Sequence, residues 1–159
     1  MKRDTIHKLS ARASRWIAVE ALLFETLGGW ARQVPEPAVK RVLATWCHRH
    51  AWHADLWRGR LPDTPAREHV PVPDDVSAWL EPLRRVLSDP DTATTTDDKV
   101  GILLDPVLTA VRQALDEHRG AIDPRLDGPT ARILDLVAAD LDAEIDALGG
   151  ARCALDASG

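Results

Sequence analysis

His50 and His53 stand three residues apart in the stretch HRHAWHADLW, and Glu20 lies in VEALLFETL. Helical residues at i and i+3 share a face, so both imidazoles can reach one point. The neighbours of Glu20 at i±3 and i±4 are Trp16, Ile17, Leu23 and Phe24, all apolar. A carboxylate in that setting is buried, and must be paired, protonated or bound to a metal. Asp140 and Glu144 form an i,i+4 acidic pair on a face otherwise made of Ile133, Val137 and Ala147. Two like charges there repel each other unless a cation or a proton intervenes. Two imidazoles and a carboxylate with open positions suit a first-row divalent ion, Fe(II) first, with Mn and Zn also served. The candidate metal ligands are therefore Glu20, His50, His53, Asp140 and Glu144. The competing reading of the trio is a metal-free Glu–His hydrogen-bonded network. For Asp140 it is a buried pair with an Arg or His of another helix, and for Glu144 a carboxylate at a helix edge. No side chain is singled out as catalytic.

The elements that must position these residues are helices. Ile6, Leu9, Ala13, Trp16, Glu20, Leu23, Leu27, Trp30 and Val34 recur at 3/4 spacing and predict a helix over 4–34, ended by Pro35-Glu36-Pro37. Val39, Leu43, Trp46, His50, His53, Trp57 and Leu61 predict a second over 37–61, stopped by Pro62. A long connection follows: a Pro-rich stretch, a short amphipathic helix over 75–87, and the polar loop DPDTATTTDD. Residues 88–98 are a candidate lid over one end of the bundle. A third long helix is expected over 98–119, kinked at Pro106, and a fourth over 128–148, closed by Gly149-Gly150. Residues 1–149 then form one helical-bundle domain, and 150–159 a flexible tail.

Register brings the candidates together. The loop between the first two helices centres near 35–36, and Glu20 and His50 each lie about 15 residues from it. At ~1.5 Å per residue both stand roughly 22 Å from the turn, so an antiparallel hairpin sets them face to face. Asp140 is likewise near mid-helix. His48, His7 and His118 read as surface residues, Cys47 as an inert thiol with a ligand role as its alternative, and Trp52 as exposed or at a subunit interface.

The hairpin–crossover–hairpin order, with VEALLFETLGGW, HRHAWHADLW and DGPTARILDLVAADLDAE, resembles a diverged branch of the ferritin-like superfamily of four-helix bundles. The resemblance covers roughly residues 5–149. It implies an all-α bundle of two antiparallel hairpins joined by a long crossover that carries a short extra helix. Its di-iron members take a Glu from each outer helix and Glu-x-x-His from the other two. Glu20 matches the first Glu. His50-Ala51-Trp52-His53 falls where Glu-x-x-His belongs, with His50 in place of the Glu. Asp140 falls near the fourth-helix carboxylate, with Ala143 where a His would stand, and no third-helix Glu matches at mid-height. One metal, or none, fits this set better than two. The resemblance implies an iron-dependent oxidase or oxygenase acting on a small organic substrate inside the bundle. The alternative is a degenerate, metal-free bundle serving as an interaction or small-molecule-binding protein. Iron storage ranks lowest, because the two-metal oxidation site is incomplete.

Composition narrows the classes. The chain has 159 residues, 45% hydrophobic and 28% charged, enough for one domain with a core. A net charge of −5 sets general nucleic-acid binding aside. No apolar run reaches ~18 residues, so no membrane span is expected. Two cysteines make no disulfide framework, and a cytoplasmic setting is expected. The basic N-terminal face (Lys2, Arg3, Lys8, Arg12, Arg15) reads as solvated, with an anionic partner as its alternative. Trp52, Trp79 and the 75–87 helix offer apolar surface for a homodimer.

Overall fold

A computed structural model describes residues 2–62, 74–89 and 91–157, and these are all-α, with no strand among them. The Pro-rich start of the crossover, 63–73, and the side chains of Ile6, His7 and Val76 lie outside the described residues. Helix α1 spans Lys2–Gln33 and α2 Pro37–Arg58. Pro37 opens α2 at its first turn, where a missing N–H costs nothing. The expected end of α2 at Leu61 moves back to Arg58. Arg60 and Leu61 donate their N–H to the carbonyls of Trp57 and Arg58, and this tighter i→i+3 turn replaces the last helical turn. Gly28 and Gly29 do not interrupt α1. A Cβ on Gly28 would lie 3.2 Å from Cys47 Sγ, so that glycine sits where the Cys47 side chain of α2 packs closely on α1.

Helix α3 spans Asp74–Ser88 and packs on α1, with Leu80, Leu83 and Leu87 buried. The expected third long helix is divided. Helix α4 (Thr96–Ile102) is followed by a wider π turn (Leu103–Leu108), then by α5 (Thr109–Gly120). Asp105, before Pro106, is extended at φ −149° and ψ 118°. Proline lacks the N–H that would continue the ladder, and the Thr109 hydroxyl donates to the Leu104 carbonyl at 3.0 Å. The helix also starts earlier than position 98. Thr95 caps it by accepting from the Asp98 N–H while the Asp98 carboxylate accepts from the Thr95 N–H, a capping box.

The described part of the 88–98 segment lies at one end of the bundle, the end that carries the α1–α2 turn. The Thr96 hydroxyl donates to Glu36 in the α1–α2 turn at 2.6 Å, and Lys99 Nζ to the Ala93 carbonyl at 2.7 Å. That ties the segment to the end of the bundle far from mid-helix.

Helix α6 spans Gly128–Asp156, with Asp127 accepting from the Thr130 N–H at its start. The expected stop at Gly149-Gly150 does not hold: the helix runs through both glycines, and 150–156 of the expected tail are helical. Leu148, Ala151 and Leu155 continue the 3/4 spacing toward the core, and Arg152 pairs with Asp97 of α4 at 2.7 Å.

Pair contacts fix the directions. Trp16 stacks on Trp57 and Cys47 reaches the Phe24 carbonyl, so α1 and α2 are antiparallel. His50 meets Glu144 while Arg60 meets Thr130, so α2 and α6 are antiparallel. Arg112–Asp142 and Arg119–Asp135 make α5 and α6 antiparallel. By Thr96 the chain is thus back at the end of the bundle that carries the α1–α2 turn. The core is one cluster, from Trp16, Leu23 and Leu27 of α1 through Leu43 and Trp57 to Leu134, Leu141 and Leu148. No helix among the described residues is long and apolar enough to cross a membrane.

Candidate metal centre

Glu20, His50 and His53 meet at mid-height between α1 and α2, all three buried to 1–2% exposure. The antiparallel register puts them there, as equal distance from the turn requires. His50 Nδ1–H donates to Glu20 Oε2 at 2.6 Å, and His53 Nδ1 lies 3.5 Å from the same oxygen. The two rings stand edge to face at 86°, with centroids 5.8 Å apart. One ligand atom from each residue falls within 4.8 Å of the others.

Helix α6 supplies what lies behind the imidazoles. His50 Nε2–H donates to Glu144 Oε2 at 3.1 Å, and His53 Nε2–H to Asp140 Oδ2 at 2.9 Å. Both outward nitrogens therefore rest on carboxylates of one helix, and both inward nitrogens face Glu20. The i,i+4 spacing of Asp140 and Glu144 matches the one-turn offset of His53 and His50 across the antiparallel contact.

The structure brings all five sequence candidates together, at different depths. Glu144 is 1% exposed, so the helix-edge reading of this residue fails. The α2–α6 contact covers the face that carries it. The Asp140 side chain is 21% exposed and also accepts from Arg49 Nη1 at 3.3 Å. The alternative expected for Asp140, a pair with an Arg or His of another helix, is present with both, the Arg being Arg49, one turn before His53 on α2.

Both nitrogens of His50 face carboxylates, which only accept when ionised, so the ring is an imidazolium. Burial by itself would lower its pKa, but Glu144 and Glu20 outweigh burial and hold it up at about 10. Burial likewise pushes Glu20 upward, and the hydrogen bond from His50 together with the nearness of both imidazoles reverses this, leaving its carboxyl below the usual range. Two buried polar atoms of this cluster meet no hydrogen-bond partner: His53 Nδ1 and Glu144 Oε1. The side chains close on one another, with Val111, Val137 and Leu141, and leave no space for a water molecule among them.

The other candidates fall elsewhere. Cys47 donates to the Phe24 carbonyl at 3.4 Å, and burial raises its thiol pKa, which fits an inert thiol. Trp52 is 40% exposed. His118 is not a surface residue. It is half-buried, accepts from the Trp16 indole, and its ring centre lies 6.1 Å from that of Trp16 and 6.3 Å from that of Trp57. The signal was present, since Val107, Val111, Leu115 and His118 continue the stripe at 3/4 spacing.

Comparison with known protein families, curated proteins and solved structures finds no match to this chain. The buried Glu20, His50 and His53 place one donor atom each close enough together for a single metal ion to be held between them.

Proposed function

We propose that this chain is a metal-binding helical bundle of ferritin-like character that holds one divalent ion between Glu20, His50 Nδ1 and His53 Nδ1. The carrying observation is the shared orientation of the two imidazoles: both inward nitrogens converge on Glu20 Oε2, and both outward N–H groups are fixed on Asp140 and Glu144. Carboxylate–histidine–metal arrangements use that same outer hydrogen bond to set ring tautomer and angle. The unpartnered His53 Nδ1 fits the reading, because a ligated nitrogen needs no hydrogen bond. Charge fits as well. Glu20, Asp140 and Glu144 are balanced to zero by Arg49 and a divalent ion when both imidazoles are neutral.

Two imidazoles and one carboxylate favour Fe(II), with Mn(II) and Zn(II) next. Iron bound here would supply redox chemistry, and the packing beside it has no space for an organic substrate or a water molecule inside the bundle. Binding of the ion itself is therefore the function we assign first. The metal-free network is the second reading. It is favoured by one observation: Glu20 and Glu144 already satisfy both nitrogens of His50.

The test is calorimetric titration of chelator-stripped protein with Zn(II), and with Fe(II) under nitrogen, at pH 7 in two buffers of different ionisation enthalpy. Metal binding predicts one ion per chain and release of at least one proton, that of His50 Nδ1. Absence of saturable heat for either ion leaves the metal-free network standing.

A further inference from the structure

A cation beside a metal site opposes metal binding as such, because like charges repel. Arg49 is nevertheless built into the edge of the Glu–His cluster. Its Nη1 donates to Asp140 Oδ2 at 3.3 Å, and the same oxygen accepts from His53 Nε2–H at 2.9 Å. Asp140 thus joins a guanidinium at the surface to a buried imidazole. The Arg49 guanidinium carbon lies 6.0 Å from the ring centres of Trp46 and Trp52 alike. Indole faces attract a cation at that range. Trp52 also tilts against His53, with ring centres 5.6 Å apart. Two indoles and a carboxylate therefore hold this charge in place, which a loose surface ion pair lacks. Asp140 already accepts from His53 and reaches solvent, so its own hydrogen bonding does not call for a second charged donor.

A charge count gives the arginine a task. The count rests on the metal reading proposed above and concerns which ions that site admits. Glu20, Asp140 and Glu144 carry three negative charges. With both imidazoles neutral, Arg49 cancels one of them. A divalent ion then brings the cluster to zero, and a trivalent ion leaves it with one positive charge. Uncompensated charge is costly where Glu20, His50, His53 and Glu144 are 1–2% exposed. Without Arg49 the order reverses: a divalent ion leaves one negative charge, and a trivalent ion leaves none.

We propose that Arg49 is the residue that sets the valence selectivity of this site, acting through Asp140 to make the centre prefer divalent over trivalent ions.

The test is competition between nitrilotriacetate and the chelator-stripped, full-length protein for Zn(II) and, separately, for Ga(III) at pH 7. Both ions are small and redox-inert, so the comparison reads charge. The readout is the ratio of the two dissociation constants, in which a general weakening of the fold cancels. Arg49→Gln should move the ratio toward Ga(III) by about tenfold, or ~1.4 kcal/mol. Water around the 45% exposed Arg49 side chain screens part of its charge and keeps the effect from being larger. For iron the same change lowers the Fe(III)/Fe(II) midpoint potential by about 59 mV. Arg49→Lys keeps a charge beside Asp140 and should restore most of the wild-type ratio. Arg41→Gln removes the same charge about two turns earlier on α2 and should leave the ratio unchanged. If wild type holds Zn(II) and Arg49→Gln takes up no more Ga(III) relative to Zn(II), or Arg41→Gln shifts the ratio as far, the proposal is overturned and the metal reading stands. Absence of saturable Zn(II) uptake by wild type would overturn both.

Discussion

Replacing Glu20 by Gln changes one charge and almost no volume, so it isolates the electrostatics of the buried cluster in the metal-free protein. His50 then keeps a single carboxylate, Glu144, at 3.1 Å. Removing one partner of a buried ion pair costs about 3–5 kcal/mol. The amide oxygen of Gln still accepts from Nδ1–H, and a neutral acceptor restores about 1 kcal/mol. The net loss is about 2–4 kcal/mol, and in a domain of this size the melting temperature should fall by about 10 °C.

The loss depends on pH in a defined way. The folded pKa of Glu20 lies below its ordinary 4.5, so its contribution is present above pH 4.5 and is lost as pH falls through the folded value. His50 is raised from 6.5 to about 10, so its contribution is complete below pH 6.5 and is lost as pH rises toward 10. The gap between wild type and Glu20→Gln should be widest between pH 4.5 and 6.5 and narrow on both sides. Urea melts of chelator-treated protein across pH 4–10 measure it. A double-mutant cycle with His50→Gln should show a coupling of about 0.5–3 kcal/mol. A variant as stable as wild type at pH 6 would refute the view that this cluster is a mutually compensating charge network.

Other substitutions separate the remaining parts of the account. Gly29→Ala meets nothing within 4 Å near the C-terminal end of α1 and should stabilise by up to about 0.5–1 kcal/mol in thermal melts, whereas Gly28→Ala presses on Cys47 Sγ at 3.2 Å and should gain less or lose. Asp140→Asn keeps the size of the side chain behind His53 but removes its charge. It should weaken metal binding by about 10–100-fold in competition with a chelating dye, while the ion-to-chain ratio stays unchanged.

Much of the site was legible because two simple geometries determine it. Equal distance from a three-residue turn sets Glu20 opposite His50, and the i,i+3 spacing sets His53 beside His50 on one face. Neither requires knowledge of the packing. The depth of Glu144 depends on how α6 rotates against α2, which single-helix periodicity cannot fix, and so its burial was not foreseen. The end of α6 was misplaced for a related reason. Gly149-Gly150 is a local stop signal, and the tertiary contacts of Ala151, Leu155 and Arg152 override it. The break at Asp105–Pro106 was expected as a kink, and its form, a widened turn with an extended Asp105, follows from how Thr109 and Leu104 settle around it. His118 was misjudged from its place near a helix end, although the stripe of α5 already pointed it at the core. The inward and outward division of the imidazole nitrogens could not be read in sequence at all, since it depends on side-chain torsions.

The most direct test of the central claim is elemental analysis of the protein purified without chelator and without a histidine tag, beside its His53→Ala variant. The account predicts close to one equivalent of iron, manganese or zinc per chain in the wild type, and a large loss of it in the variant, with α-helical content preserved in both. Two metal-free preparations, together with no rise in melting temperature when Fe(II) or Zn(II) is added, would contradict it.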